Sequence, residues 1–321
     1  MTLEQLRIFV AVAEREHVTR AAQALNLTQS ATSAAVAALE ARYQTRLFDR
    51  VGRGIVLTEA GRIFLAEARA VLARASAAEA VLADLAGLRV GKLRIAGSQT
   101  VANYWLPFPL TAFHERYPGV TIDLWVGNSD EVEKRVVRGQ VDVGIAEQEP
   151  SDGTLLVETL ASDTLIGVVG RRHPWFGREQ VDWHELPQSP WIMREPGSGT
   201  RALFETMLVR QGIPPESLDV VLVLRTGEAV RNAVVAGSCA AVMSTLVADV
   251  AVRTGALHCL RSISITRRFV ALSLPARAAT RTTAALLDHL RASGDSIGAA
   301  KVGRPALQLI AKTDSSDRSA K

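Results

Sequence analysis

The sequence predicts a multidomain chain in three parts: an all-α head closed by a β-hairpin, one long helix, and an α/β domain of two lobes. Three observations carry this. Before residue 45 apolar residues recur at helical spacing in three short segments, and two short β-rich runs follow. From Ile63 to Ala86 there is no Gly or Pro. From Gly91 onward β-rich runs alternate with helical ones, the pattern of a largely parallel sheet. A chain of 321 residues, 48% hydrophobic and 22% charged, supports two or three domains and excludes a disordered, collagen-like or disulfide-scaffold protein. No apolar run approaches the roughly 18 to 20 residues that span a bilayer, and Glu4, Arg7, Glu14 and Glu16 interrupt any signal-peptide core, so the expected location is cytoplasmic.

Leu3, Leu6, Phe9, Val10 and Ala13 space a first amphipathic helix from Thr2 to about Glu16. Thr19 is the expected N-cap of a second helix through Ala21, Ala22 and Leu25, which Asn26 can end in the left-handed conformation. Thr28 then caps a third helix, in which Ala31, Ala35, Val36 and Leu39 are expected to face the first two. Two helices joined by a tight turn, with short polar side chains opening the second, form a helix-turn-helix. Its second helix enters a major groove by the first turn, where Gln can contact adenine and Ser can reach a base edge or phosphate. Leu47-Phe48, Val51-Gly52-Arg53-Gly54 and Ile55-Val56-Leu57 read as a hairpin, a wing presenting Arg to a backbone or minor groove. The candidate DNA-contacting residues of this winged helix-turn-helix head, residues 1–58, are Thr28, Gln29, Ser30, Thr32, Ser33, Arg50 and Arg53. Net charge does not decide the matter, since 37 basic against 33 acidic residues give only +4. The alternative is an ordinary helical subdomain with a solvated Arg face.

Thr58 is the expected cap of the linker helix, residues 59–87. Phe64, Ala68, Val71, Ala75, Ala78, Leu82 and Leu85 are separated by alternating steps of four and three, the coiled-coil period. Phe64, Val71, Ala75, Ala78, Leu82 and Leu85 are therefore the candidate dimerisation residues, and a dimer would set two recognition helices at a fixed separation over a pseudo-palindromic site. The alternative is a long helix packed on its own domain.

Residues 91–295 read as two α/β lobes, lobe I over 91–163 and 268–295 and lobe II over 164–267. The strands expected to cross between them lie around Ala161 to Thr164 and Arg267 to Val270, and Ser264 to Leu274 returns the chain to lobe I. In open α/β sheets ligands collect at the carboxyl ends of strands. The residues found there are Ser98, Thr100, Asn128, Ser129, Glu147, then Ser198, Gly199, Thr200 and Arg201, and finally Thr226 and Glu228, the candidate ligand-binding set. The Gly197 to Arg201 segment joins a strand to a helix and offers N–H groups, two hydroxyls and a cation to an anion, with Arg194 adding charge nearby. The alternative for the hydroxyls is helix capping. Glu147 could orient a donor group or stand as a solvated loop acid. Residues 298–321 read as a polar tail that need not fold.

The stretch Leu3 to Gly61 resembles the LysR-type transcriptional regulators, above all in Ala21-Ala22, Leu25, Thr28-Gln29-Ser30-Ala31, Ser33, Leu39-Glu40, Leu47-Phe48-Asp49-Arg50 and Leu57-Thr58-Glu59-Ala60-Gly61. The resemblance extends to about residue 295. It departs at Ala34-Ala35, where many members carry a long polar or basic pair. It implies an effector domain similar to periplasmic solute-binding proteins, and as partners double-stranded promoter DNA, a small-molecule effector, further copies of the chain in a homotetramer, and RNA polymerase. Val126-Gly127-Asn128-Ser129 and Arg194-Glu195-Pro196-Gly197-Ser198-Gly199-Thr200-Arg201 look like the branch containing regulators of sulfur assimilation and carbon fixation. That branch implies an anionic effector, a sulfur oxyanion or a phosphorylated metabolite.

No Gly-x-Ser-x-Gly, His-Glu-x-x-His, P-loop or Gly-x-Gly-x-x-Gly pattern is present, and Cys239, His258 and Cys259 lack a metal-binding spacing. The expectation is no enzyme, no cofactor and no metal. The alternatives are a solute-binding protein without a DNA role and an enzyme with an unrecognised site. His173-Pro174 reads as a turn.

Overall fold

The computed structural model describes residues 1–51, 54–85, 91–178, 180–275 and 280–300, with the side chains of 76, 77, 80–85 and 295–300 left aside. Arg53, the side chains of Leu82 and Leu85, and residues 301–321 of the expected tail therefore lie outside the described residues, while residues 298–300 of that tail are helical. The chain forms two compact units, Met1–Leu82 and Ala83–Lys321.

The first unit holds α1 (Leu3–Arg15), α2 (Val18–Ala24), α3 (Gln29–Tyr43), the hairpin β1 (Phe48–Val51) and β2 (Gly54–Leu57), and the start of α4 (Glu59–Leu85). Thr2 and Gln5 form a capping box on α1. Glu16 is left-handed and turns the chain at once, so His17, and not Thr19, is the first extended residue and caps α2 through Nδ1 on the Arg20 N–H, 3.4 Å away. Asn26 takes the expected left-handed conformation, φ 54°. Thr28 caps α3 by accepting the Ala31 N–H at 3.2 Å. Phe9 and Val12 are fully buried, and the Phe9 ring meets Phe48 at 5.5 Å and Phe64 at 4.8 Å.

Two contacts seat the hairpin. Glu40 Oε1 accepts the N–H groups of Leu47 (2.7 Å) and Phe48 (3.1 Å), tying the end of α3 to the strand. Gly61 packs so tightly that a Cβ there would stand 2.1 Å from the Leu47 carbonyl oxygen. Thr58 caps α4, accepting from the Gly61 N–H at 2.9 Å. Ala68 is buried in the head's own core, and the half-buried Phe64 packs against that core. Val71 and Ala78 are exposed and Ala75 is half-buried.

The second unit is one eight-stranded sheet with helices on its faces. Its strands are β3 (Gly91–Ser98), β4 (Val120–Gly127), β5 (Val143–Ala146), β6 (Leu156–Gly170), β7 (Pro190–Arg194), β8 (Asp219–Leu224), β9 (Ala240–Ser244) and β10 (Leu257–Ser273), in the order β4-β3-β5-β10-β6-β9-β7-β8. Its helices are α5 (Pro107–Arg116), α6 (Ser129–Val137), α7 (Gly199–Arg210), α8 (Gly227–Ala236), α9 (Thr245–Arg253) and α10 (Arg281–Ala300). β3 runs parallel to β4 and β5 in lobe I, and β7 parallel to β8 and β9 in lobe II. The 15-residue β6 and 17-residue β10 pair antiparallel through both lobes, Leu272 opposite Val157 at one end and Leu257 opposite Gly170 at the other. The crossing is where the sequence places it, with Arg267 opposite Asp163 and Phe269 opposite Ala161. β10 begins earlier than Ser264, because a register shift between Leu260 and Ser264 breaks the alternation that marks a strand.

Lobe I buries Leu93, Ile95, Val143, Ile145 and Phe269 against Trp105, Phe113 and Leu286. Lobe II buries Leu165, Trp191, Met193 and Ile265 against Trp175, Phe204 and Leu208. Each lobe thus has its own core, and the polar loops at the strand ends are left to meet in the cleft. Among the described residues no helix is long and apolar enough to cross a membrane.

Candidate functional site

In the head, Gln29, Ser30, Ser33 and Thr28 are exposed at the start of α3, and Arg50 is exposed on β1. The Thr28 and Ser30 hydroxyls lie 3.1 Å apart. Thr32 departs from the expected set. It is fully buried and its hydroxyl donates to the Thr28 carbonyl at 3.0 Å, so it braces the first turn of α3 and cannot touch a base. Ala31, expected inside, is exposed: the inward face of α3 runs through Thr32, Ala35, Val36 and Leu39.

In the second unit the centre of the cleft is Arg267, which sequence reasoning did not nominate as a site residue. Its side chain is 2% exposed. Nε donates to Asp163 Oδ2 at 2.7 Å and Nη2 lies 2.6 Å from the same oxygen, while Ser244 donates to Asp163 Oδ1 at 2.8 Å. The other side of the guanidinium faces both lobes: Nη1 donates to Thr200 Oγ1 at 3.0 Å and Nη2 to Thr100 Oγ1 at 3.4 Å. Glu147 Oε1 stands 3.7 Å from Nη2, and Glu147 Oε2 accepts from Ser129 Oγ at 3.0 Å. Thr100, Ser129, Glu147, Gly199 and Thr200 are thereby gathered around one buried cation.

Two helical segments begin beside it. α7 starts at Gly199 with Ser198 as N-cap, and the turn Val101–Trp105 starts after Thr100; neither has a side-chain cap. By contrast Asn128, Thr226 and Ser244 each accept an N–H at the starts of α6, α8 and α9. Ser98 Oγ is buried with no hydrogen-bond partner among the described residues. Hydroxyls and first-turn N–H groups beside a cation suit an anion.

The expected cation at this loop, Arg201, is engaged elsewhere, donating to Glu205 at 2.7 Å and to the Arg194 carbonyl at 3.2 Å. Arg194 is likewise neutralised by buried Glu195, at 2.8 and 3.1 Å. Both corrections have one cause, an acid within reach in the same segment. Asn128 reaches across the cleft to Glu195 Oε1 at 3.3 Å, and the Asp130 N–H to the Gly197 carbonyl at 3.2 Å, so the lobes touch along this edge. Thr226 and Glu228 have partners other than Arg267. Thr226 caps α8, and Glu228 accepts from Asn103 at 3.4 Å and from Tyr104. Burial, with Glu228 beside it, pushes the Tyr104 hydroxyl up to about 12, so Tyr104 stays protonated and serves as a donor.

Comparison with known proteins agrees with both units. Residues 3–62 match the bacterial regulatory helix-turn-helix family of the LysR type, and residues 86–295 match the LysR substrate binding domain. The chain is 34% identical to the HTH-type transcriptional regulator CbbR of Rhodospirillum rubrum over 73% of this chain and 76% of that one. It is 30% identical to CysL of Bacillus subtilis, over 83% and 86%. The CcmR regulatory domain of Synechocystis, solved in complex with 2-PG, superimposes with a TM-score of 0.59 at 27% identity, covering 64% of this chain and 99% of that domain. A helix-turn-helix head followed by a two-lobed effector domain, each matched over its full extent, places this chain in the LysR family of DNA-binding transcriptional regulators.

Proposed function

We propose that this regulator reads a small anionic metabolite in the cleft between its lobes and alters its hold on promoter DNA accordingly, in the cytoplasm and as a homotetramer. One observation carries the anion: α7 begins uncapped beside a buried guanidinium that already holds the hydroxyls of Thr100 and Thr200, one from each lobe. An anion there gains a charge, two hydroxyls and helix-start N–H groups in a site with little water. The related CcmR regulatory domain is solved in complex with 2-PG, which supports a small anionic metabolite. On the DNA side, Gln29, Ser30 and Ser33 would contact the major groove and Arg50 the backbone.

Thermal unfolding with sulfate, sulfite, thiosulfate, phosphate and phosphorylated sugars tests the effector half. A ligand present at 100 times its Kd stabilises by about 2.7 kcal/mol. The expected result is a melting temperature raised by a subset of these anions and unresponsive in Thr200→Ala. If none of them shifts the wild type, the effector is not an anion of this kind.

A further inference from the structure

We propose that Glu147 is a built-in competitor of the effector, its carboxylate standing where the anion has to go. The proposal rests on the anion-site reading above and concerns the regulation of that same site. Glu147 follows β5 in lobe I, and its side chain is 4% exposed. One carboxylate oxygen takes the Ser129 hydroxyl at 3.0 Å and the other faces Arg267 at 3.7 Å. Gly199, the first residue of α7 in lobe II, comes so close that a Cβ there would lie 2.8 Å from Ser129 Oγ and 3.4 Å from Glu147 Oε2. The carboxylate therefore fills the corner made by the cation, the hydroxyl and the helix start.

Charge balance sets the terms of the exchange. Arg267 contributes one positive charge, and Asp163 and Glu147 contribute two negative ones. Asp163 is the fixed partner, held by Arg267 through two nitrogens and by Ser244, and it lies opposite Arg267 in the strand pairing. Glu147 is the loose one, beyond hydrogen-bonding distance of the guanidinium. The two nearby arginines are taken, Arg194 by Glu195 and Arg201 by Glu205. An anion added while Glu147 stays would leave an excess of buried negative charge, which is strongly unfavourable. It gains Arg267 by displacing Glu147. Because Ser129 and Gly199 come from opposite lobes, the exchange also changes what holds the lobes together at this point.

The opposing account makes Glu147 an acceptor for a donor group on the effector, and the two accounts predict opposite signs. Isothermal titration of the full-length protein with sodium sulfate and with sodium phosphate, at fixed ionic strength, separates them. Glu147→Gln keeps the size of the side chain and an acceptor for Ser129 while removing the charge. The expected result is binding at least about tenfold tighter than wild type in Glu147→Gln, and tighter also in Glu147→Ala. Structural damage lowers affinity, so a gain cannot come from it. Anion binding by the wild type that needs Thr200, with no gain in either Glu147 variant, would overturn the competitor and leave the anion site standing. No binding of either anion to the wild type or to either variant would overturn the two together.

Discussion

His173 is a buried histidine that its surroundings keep neutral. Its Nδ1 accepts the Trp175 N–H at 3.0 Å, so Nε2 carries the proton and donates to Ser189 at 2.7 Å. Burial lowers its pKa from the usual 6.5 to about 4. Between those values the unfolded chain takes up a proton and the folded chain does not, so this group destabilises the fold as pH falls from 6.5 toward 4 and has no effect above. The full difference is worth about 3 kcal/mol. Denaturant unfolding followed by tryptophan fluorescence, with Trp175 against the ring, should show a steeper loss over this window in wild type than in His173→Gln. Parallel curves would show that His173 is not the group responsible. Arg267 makes the complementary point about what a sequence discloses. Ile263, Ile265, Arg267 and Phe269 alternate on the inward face of β10, so a charge on an apolar stripe was legible as a buried cation. It lies within β10 and not in a loop after a strand, so the strand-end rule does not reach it. That Arg201 is turned away was not legible, since four-residue spacing to Glu205 permits the pair without requiring it.

At the scale of elements, the head's hairpin hangs on one carboxylate and one glycine. Glu40 supplies the acceptor for two backbone N–H groups, and Gly61 leaves room for the Leu47 carbonyl. Removing the acceptor leaves two part-buried donors without their partner, a loss on the order of 2 kcal/mol. Glu40→Ala should therefore lower the stability of the head and weaken promoter binding through misplacement of Arg50, while the melting response to anions in the other unit persists. A titration of labelled promoter DNA alongside the anion melting assay checks this, and unchanged DNA affinity would refute it. The elements themselves were largely legible, because hydrophobic spacing fixes α1, α3 and the alternation from β3 onward. The failures are at ends. The cap of α2 fell on His17 because a left-handed Glu16 turned the chain, and β10 outran its alternation because of the bulge before Ser264. Both depend on backbone conformation, which side-chain pattern does not report.

For the whole molecule, an effector acts on DNA binding only through a difference in its affinity for two states of the protein. The pair β6 and β10 passes through both lobes, and Arg267 and Asp163 face each other where it crosses, so a change at this point reaches lobe I and lobe II together. The coupling must be reciprocal: if an anion changes promoter affinity by some factor, promoter DNA changes anion affinity by the same factor. For a typical coupling of 1 to 3 kcal/mol that factor is roughly 5 to 150. The expected outcome is that promoter affinity measured across a sulfate or phosphate series, and anion affinity measured on protein saturated with promoter DNA, give one factor. In Thr200→Ala both shifts should vanish, because that variant removes one of the two hydroxyls at the buried guanidinium. Unequal factors would mean that the anion acts at more than one place, through the phosphate-binding surface of the head as well as the cleft. A shift that survives Thr200→Ala would place its whole effect there.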